Sequence, residues 1–419
     1  MPLQTLLVFS HLRWGFVYQR PQHFMSRLAA NWKIYFVEEP VHDQNEPWIE
    51  TKEIAPNLTV LVPHTRLTQP GFNAAQFPTL EFLLNAFLQK TGIESPLVWL
   101  YTPLALPLAK KLAPRCLIYD CMDELSAFAH APLELKQREA ELLDTATVVL
   151  TGGPSLFDAK RKFRDDVHCI PSSVDAAHFA VTNLLPDGPL VARAIELQGV
   201  HIRPRLGFFG VIDERLDVAL VAALADANSD WDIVMAGPVV KIDPQQLPQR
   251  HNIKWLGMQS YDMLPYLLAS WDVALMPFAL NESTRFISPT KTLEYMAGGK
   301  PVVSTAISDV GRLYGEVVEI ANNHAEFISA CYRVLAESQR ARVSRVDNMA
   351  AVVASHSWDR STDYVQALLE YALKSTEPAL VATPVSTPAT ALKNGKLPPV
   401  RQLTDSIREP MNVTSQATQ

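Results

Sequence analysis

Lys291 and Glu294 stand three residues apart in the run 281–305, NESTRFISPTKTLEYMAGGKPVVST. On a helix that spacing puts both side chains on one face. Ser288 is a good helix N-cap and Pro289 suits the first helical position. A helix is therefore predicted to open there, with free backbone N–H groups that attract an anion. An ammonium near that mouth with a carboxylate behind it fits a nucleoside diphosphate. Lys291 would neutralise phosphate charge while Glu294 accepts two hydrogen bonds from a ribose diol. A surface helix carrying an incidental Lys and Glu is the plainer alternative.

Three other stretches carry groups able to do chemistry. The loop 10–23, SHLRWGFVYQRPQH, is dense in aromatic, amide and basic side chains. Gly15 allows close approach, Trp14 and Tyr18 offer flat apolar faces, and Arg13, Gln19, Arg20 and Gln22 offer donors. Its aromatics could equally just cover a sheet edge. His11 and His23 are candidate acid/base groups or structural histidines. In the segment 117–124, LIYDCMDE, Asp120 and Asp123 follow an apolar strand. Such a pair could bind sugar hydroxyls or supply a base, or Asp123 could cap a helix over 124–128. At 206–215, LGFFGVIDER, a strand, a glycine turn and a helix from about Asp213 are expected. Amides around Gly210 could then approach a phosphate closely, with Arg215 adding charge or lying on the helix surface.

The elements that position these groups alternate along the chain. Short apolar runs at 6–10, 33–37, 58–62, 97–101, 117–120, 147–151 and 167–170 read as buried strands, with helical stretches at 21–30, 74–90, 103–112, 133–144 and 154–162. A second series of strands is expected at 206–210, 232–236, 253–256, 273–277, 302–304 and 317–320. Such alternation argues for parallel sheets covered by helices on both faces, with ligands gathered at the carboxyl ends of the strands. Prolines and Gly188 in 181–205 mark an interdomain connection.

Composition narrows the functional classes. The chain has 419 residues, 48% of them hydrophobic, which is enough for two or three domains. A formal charge of −7 argues against nucleic acid as a partner. The apolar run near Met1 is short, soon broken and preceded by no basic region. No stretch reaches the length of a membrane span, so a cytoplasmic protein is expected. Cys116, Cys121, Cys169 and Cys331 lack CxxC spacing, which fits reduced buried thiols.

The run 288–303, SPTKTLEYMAGGKPVV, resembles the donor-site signature of GT-B glycosyltransferases of the group 1 superfamily. The runs WGFVYQRPQH and YDCMDE resemble a subset that includes proteins likened to teichuronic acid biosynthesis transferases. PSSVDAAHF at 171–179 resembles the segment by which the family leaves its first domain, with Ser173 where a Gly is usual. The resemblance implies an α/β fold with two Rossmann-like, doubly wound parallel-sheet domains facing a cleft. The first would span 1–180, a linker 181–205 and the donor domain 206–356. A terminal helix at 357–375, opened by Trp358, would cross back, and a disordered tail would follow over 376–419.

By the same resemblance, Glu294 would bind ribose and Lys291 the diphosphate. Pro289, Thr290, Gly210 and Arg215 would complete the donor side, and Arg13, Trp14, Gly15, Gln19 and Arg20 would border the acceptor and the reacting sugar. Asp120, Asp123 and His11 are the candidate catalytic groups. The family pattern has a second Glu eight residues before the ribose-binding one, and here that position is Phe286. Glu282, Asn281 and Thr284 are candidates to replace it. The implied activity is retaining transfer of a sugar from a UDP- or GDP-sugar to a hydroxyl acceptor, a glycan or a lipid-linked one, in polysaccharide or glycolipid synthesis. Neither a cofactor nor a metal is expected, and peripheral association with the inner face of a membrane stays open. A non-catalytic sugar-nucleotide-binding subunit and a GT-B sugar-nucleotide epimerase are the competing readings.

Overall fold

The structure is a computed structural model that describes residues 3–128 and 131–376. The tail expected to be disordered lies, from residue 377, outside the described residues. Nine strands form the first sheet: β1 (Gln4–Ser10), β2 (Trp32–Glu38), β3 (Val41–His42), β4 (Trp48–Ala55), β5 (Leu58–Thr65), β6 (Leu97–Leu100), β7 (Cys116–Cys121), β8 (Val148–Thr151) and β9 (Val167–Cys169). Their order is β3-β5-β2-β1-β6-β7-β8-β9, all parallel, with β4 antiparallel on β5. Six strands form the second: β10 (Arg205–Phe209), β11 (Asp232–Ala236), β12 (Ile253–Gly257), β13 (Val273–Met276), β14 (Val302–Thr305) and β15 (Glu319–Ala321). Their order is β12-β11-β10-β13-β14-β15, also parallel.

Helices cover both faces of each sheet, which is why the central strands are apolar without alternation. The last five residues of β1 are all buried, as are all of β6, β7, β8 and β10. The two faces of the first sheet carry separate apolar clusters, one around Leu6, Phe24, Trp99 and Ile118 and one around Leu7, Phe9, Leu100 and Tyr119. The helix Trp358–Thr376 enters the former through Trp358, Val365 and Leu369. It packs beside the helix Arg20–Leu28, where Arg27 Nε pairs with Asp359 at 2.5 Å.

Three local expectations are corrected. The strands β3 and β4, each paired with β5, were not foreseen, because β3 is only two residues long and β4 is mostly exposed, its sequence WIETKEIA carrying little apolar signal. The helix expected from Asp213 starts at Val218, with the Asp217 carboxylate capping Leu220 N at 2.8 Å. Asp213 is held in a turn, accepting from Arg215 N at 3.0 Å. The helix expected from Ser288 and Pro289 runs over Lys291–Ala297. Its approach is a tight turn in which Thr292 N bonds to Pro289 O at 3.3 Å, while the Ser288 carbonyl is taken by Ser172 Oγ at 2.9 Å.

Candidate active site

The carboxyl ends of both sheets open on one cleft of about 600 Å³. On the second-sheet side, Gly210 directly follows β10 and Gly237 directly follows β11, both at positive φ (+146° and +151°). A side chain at Gly237 would overlap the Gly210 carbonyl, and one at Gly210 would come within 2.7 Å of Lys291 Cε. Both glycines are thus required for the two strand ends to meet and for Lys291 to reach the cleft. Tyr295, one residue beyond Glu294, ties the short helix to the end of β10 by accepting from Phe209 N at 2.9 Å.

The Lys291 ammonium lies near the faces of Phe208 and Phe278, 5.6 and 5.1 Å from their ring centres. Burial pushes its pKa down, and the neighbouring Arg215 guanidinium adds to this, while Glu294, Asp213 and Asp123 oppose it. Glu294 is 6% exposed. Burial pushes its carboxyl up, against the pull of Lys291. A cation and a carboxylate are thus both largely withdrawn from water at the cleft wall, where partners from a ligand would count for more than in solvent. Pro289, Thr290 and Gly210 line the same wall, and so does Arg215. The Arg215 guanidinium is already paired with Asp213 at 2.7 to 3.1 Å.

On the first-sheet side, the loop after β1 is fastened by Glu38 at the end of β2. Its carboxylate accepts from Trp14 N at 2.7 Å and from Arg13 Nη1 at 2.9 Å. Gln22 holds the same loop by donating to the carbonyls of Trp14 and Val17. Trp14, Gly15 and Gln19 line the cleft, whereas Arg13, turned to Glu38 and the Glu39 carbonyl, is not part of its lining. Tyr18 stacks on Tyr261 of the opposite side (4.6 Å, 24°), and Tyr261 stacks in turn on His178 (4.1 Å, 1°).

The candidate catalytic groups separate sharply. Asp120 is fully buried and bonded to Arg20 by three contacts of 2.9 to 3.1 Å, and Arg20 also donates to the Ile170 carbonyl at 2.7 Å. Asp120 is therefore not a free base, and Arg20, although it borders the cleft, is spent on this internal pair. Asp123 lines the cleft and caps no helix; a single short turn, Leu125–Ala127, follows it. Burial raises its pKa and Arg215 opposes the rise. His11 is held neutral, its pKa pushed down to about 4 by burial and by Lys241. His23 lies away from the cleft, stacked on Trp358 (4.6 Å, 12°).

None of the three replacements considered for the acidic residue missing at position 286 lines the cleft. Glu282 is exposed and faces Arg285, Asn281 caps its own turn, and buried Thr284 donates to the Ala279 carbonyl at 2.5 Å. Phe286 itself packs on the apolar cluster of the first sheet around Leu7 and Phe9. Sequence reasoning passed over Gly153 and Ser172, which carry contacts between the two sides, and Gly152, which lines the cleft against Met122 of its own side. A side chain on Gly153 would run into Ser288 Cβ at 2.7 Å, and Ser172 binds the Ser288 carbonyl. The available signal was the glycine pair directly after the apolar run of β8, at the end of a parallel strand where ligands and close contacts gather.

Residues 203–337, which include β10 to β15, match the family model described as glycosyl transferases group 1. That stretch of the chain resembles the group 1 glycosyl transferases. It is 25% identical over 240 residues to TuaH of Bacillus subtilis (strain 168), a provisionally named teichuronic acid biosynthesis glycosyltransferase. That match takes in 53% of this chain and 59% of the relative, so the chain spans less than two thirds of the curated relative it matches. Among solved structures, sucrose-phosphate synthase from Thermosynechococcus elongatus superposes with a TM-score of 0.70 at 15% identity, over 89% of this chain and 100% of that one. Anabaena HepE, in complex with UDP and glucose, gives 0.63 at 15% identity over 88% and 100%. An E. coli trehalose-6-phosphate protein bound with UDP-2-fluoro glucose gives 0.65 at 13% identity over 87% and 99%. At these identities the likeness is one of fold, and that fold is GT-B.

Proposed function

We infer that the protein transfers a sugar from a nucleoside diphosphate sugar to a hydroxyl-bearing acceptor held across the cleft. The observation that carries this reading is the pairing of Lys291 with Glu294 on one short helix at the cleft wall, each group poor in water and open to a ligand. The Lys291 ammonium and the backbone N–H groups of Thr290 and Lys291 meet the diphosphate, and Glu294 takes the ribose hydroxyls. As the sugar–oxygen bond breaks, negative charge grows on the departing diphosphate, where a fixed ammonium in a dry site stabilises it most. Asp123 and the loop carrying Trp14, Gly15 and Gln19 face the reacting sugar and the acceptor. The course of transfer is retaining, and the departing phosphate helps to take the acceptor proton, so that buried Asp120 is not needed as a base.

The names of the relatives suggest the substrate class. TuaH is named for teichuronic acid synthesis, and two of the structural neighbours hold UDP or a UDP-sugar. A UDP-sugar donor and a glycan or lipid-linked acceptor in envelope polysaccharide synthesis follow as the working assignment. No helix among the described residues is long and apolar enough to cross a membrane, so a lipid-linked acceptor would be met at the membrane surface. The test is thermal unfolding with UDP, GDP and their sugar conjugates, beside Lys291→Ala and Glu294→Ala. A rise in midpoint that grows with ligand concentration and disappears in both variants supports the donor site. No rise at millimolar nucleotide would overturn it.

A further inference from the structure

Glu214, in the loop after β10 and next to Arg215 of the cleft wall, stands just behind the cleft lining rather than in it, with both carboxylate oxygens closed off from solvent and without a hydrogen-bond donor. The cation beside it, Lys241, is 4.0 Å from Oε1. A buried carboxylate in that condition is costly unless something supplies the missing donors. His11 Nδ1 is likewise buried and unpartnered. The Lys241 charge acts on His11 and also on Asp123, which feels Arg215 as well. Phe128 covers the group from the first-sheet side, its ring centre 5.3 Å from the Arg215 guanidinium and 4.8 Å from Lys241 Nζ.

The chemistry of this cluster selects its ligand. Two carboxylates, Glu214 and Asp123, face two cations, Arg215 and Lys241, beside a neutral imidazole. Asp123 and Arg215 belong to the cleft wall and the others lie behind them, and a strongly charged ligand gains little from so balanced a cluster. A ring bearing several hydroxyls, each able to donate and accept, can use all of it. The position of Glu214 adds to this. Its loop is strapped to the strand-end segment that leads to Phe286, through Asp217 N to Pro277 O (2.9 Å), Ala279 N to Arg215 O (2.8 Å) and Asn281 Nδ2 to Glu214 O (3.3 Å). Phe286 is half-buried and packs against the apolar cluster of the first sheet.

We propose that Glu214 is the carboxylate that binds the hydroxyls of the transferred sugar, in place of the acidic side chain absent at position 286, and that Phe128 is the cover displaced when the sugar ring enters. This rests on the donor-site reading given above. Titration calorimetry of the full chain with UDP, GDP, UDP-glucose, UDP-galactose and GDP-mannose tests it in the wild type, Glu214→Gln and Lys291→Ala. Glu214→Gln should weaken the preferred sugar nucleotide about tenfold or more and its parent nucleoside diphosphate no more than about twofold, flattening the preference among sugars. Lys291→Ala should weaken both together. Equal losses on both ligands in Glu214→Gln, or an unchanged ranking of sugars, would overturn the role of Glu214 and leave the donor site standing. Absence of any nucleotide binding by the wild type would instead remove the donor reading and this inference with it. Should Glu214→Gln fail to fold, Lys241→Met, which withdraws the adjoining cation, is expected to show the same selective loss.

Discussion

Ser172, just after β9, donates its hydroxyl to the Ser288 carbonyl at 2.9 Å and accepts from Thr290 Oγ1 at 3.3 Å. The turn that presents Lys291 is therefore shaped in part by a residue of the opposite side of the cleft. Ser172→Ala leaves a half-buried carbonyl without its donor and is expected to cost about 1 kcal/mol of stability. Nucleotide affinity should fall a few-fold as the turn loosens. Gly153→Ala should do more, because the new methyl group meets both Ser288 and the Asp309 carboxylate. Urea unfolding and nucleotide titration of the two variants check this, and unchanged affinity in Gly153→Ala would count against any coupling between that contact and the donor turn.

The Arg20–Asp120 pair is buried and internally satisfied, and its expected role is to hold the fold. Removing one partner leaves a buried charge uncompensated, so Asp120→Asn should destabilise the protein by about 3 to 5 kcal/mol. Replacing both residues together with apolar ones of similar volume should recover much of that loss. Denaturant midpoints of the two single variants and the double variant decide the matter. An Asp120→Asn protein of normal stability but without transferase activity would return Asp120 to the catalytic list.

Asp309 joins the two sides through Ser155, accepting from its backbone N–H at 3.0 Å and from its hydroxyl. Burial is the main reason its pKa is pushed up to about 6, with the Ser155 bonds opposing. A carboxyl whose pKa is higher in the folded state binds the proton more tightly there, so its contribution to stability falls as pH rises from about 4 to about 6 and is level above that. Relative to Asp309→Asn, the wild type should lose about 1 to 3 kcal/mol across that window. Unfolding curves of both proteins between pH 4 and 8 measure the difference. A constant gap would mean that Asp309 titrates alike in the folded and unfolded states.

If Lys291 and the turn amides carry the diphosphate charge, no divalent ion has to. Among the described residues no group of three or more His, Cys, Asp and Glu side chains is arranged to hold a metal. Extensive treatment with a chelator is expected to leave nucleotide binding and transfer within about twofold of the untreated protein. A tenfold loss restored by magnesium or manganese would show instead that a metal shares the phosphate contact.

Lys291 and Glu294 were legible as a pair because helical spacing is a local property, set by three residues of one short helix. The strands were legible for the same reason, as apolar runs, and parallel sheets place their carboxyl ends together whatever the loops contain. The opening of that helix was misread, because the Ser288 carbonyl has a partner 116 positions away. Partners at that distance are invisible along the chain. Asp120 and Asp123 look alike in YDCMDE, yet one meets Arg20 across 100 positions and the other is left facing the cleft. Glu214 carried no signal at all, since a carboxylate without a donor is defined only by what surrounds it. The sequence by itself determined the fold class, the spacing of Lys291 and Glu294 and the residue types available for chemistry. Only the tertiary structure decided which buried charges neutralise one another and which remain for a ligand, because the cost of burying a charge depends on every element packed against it.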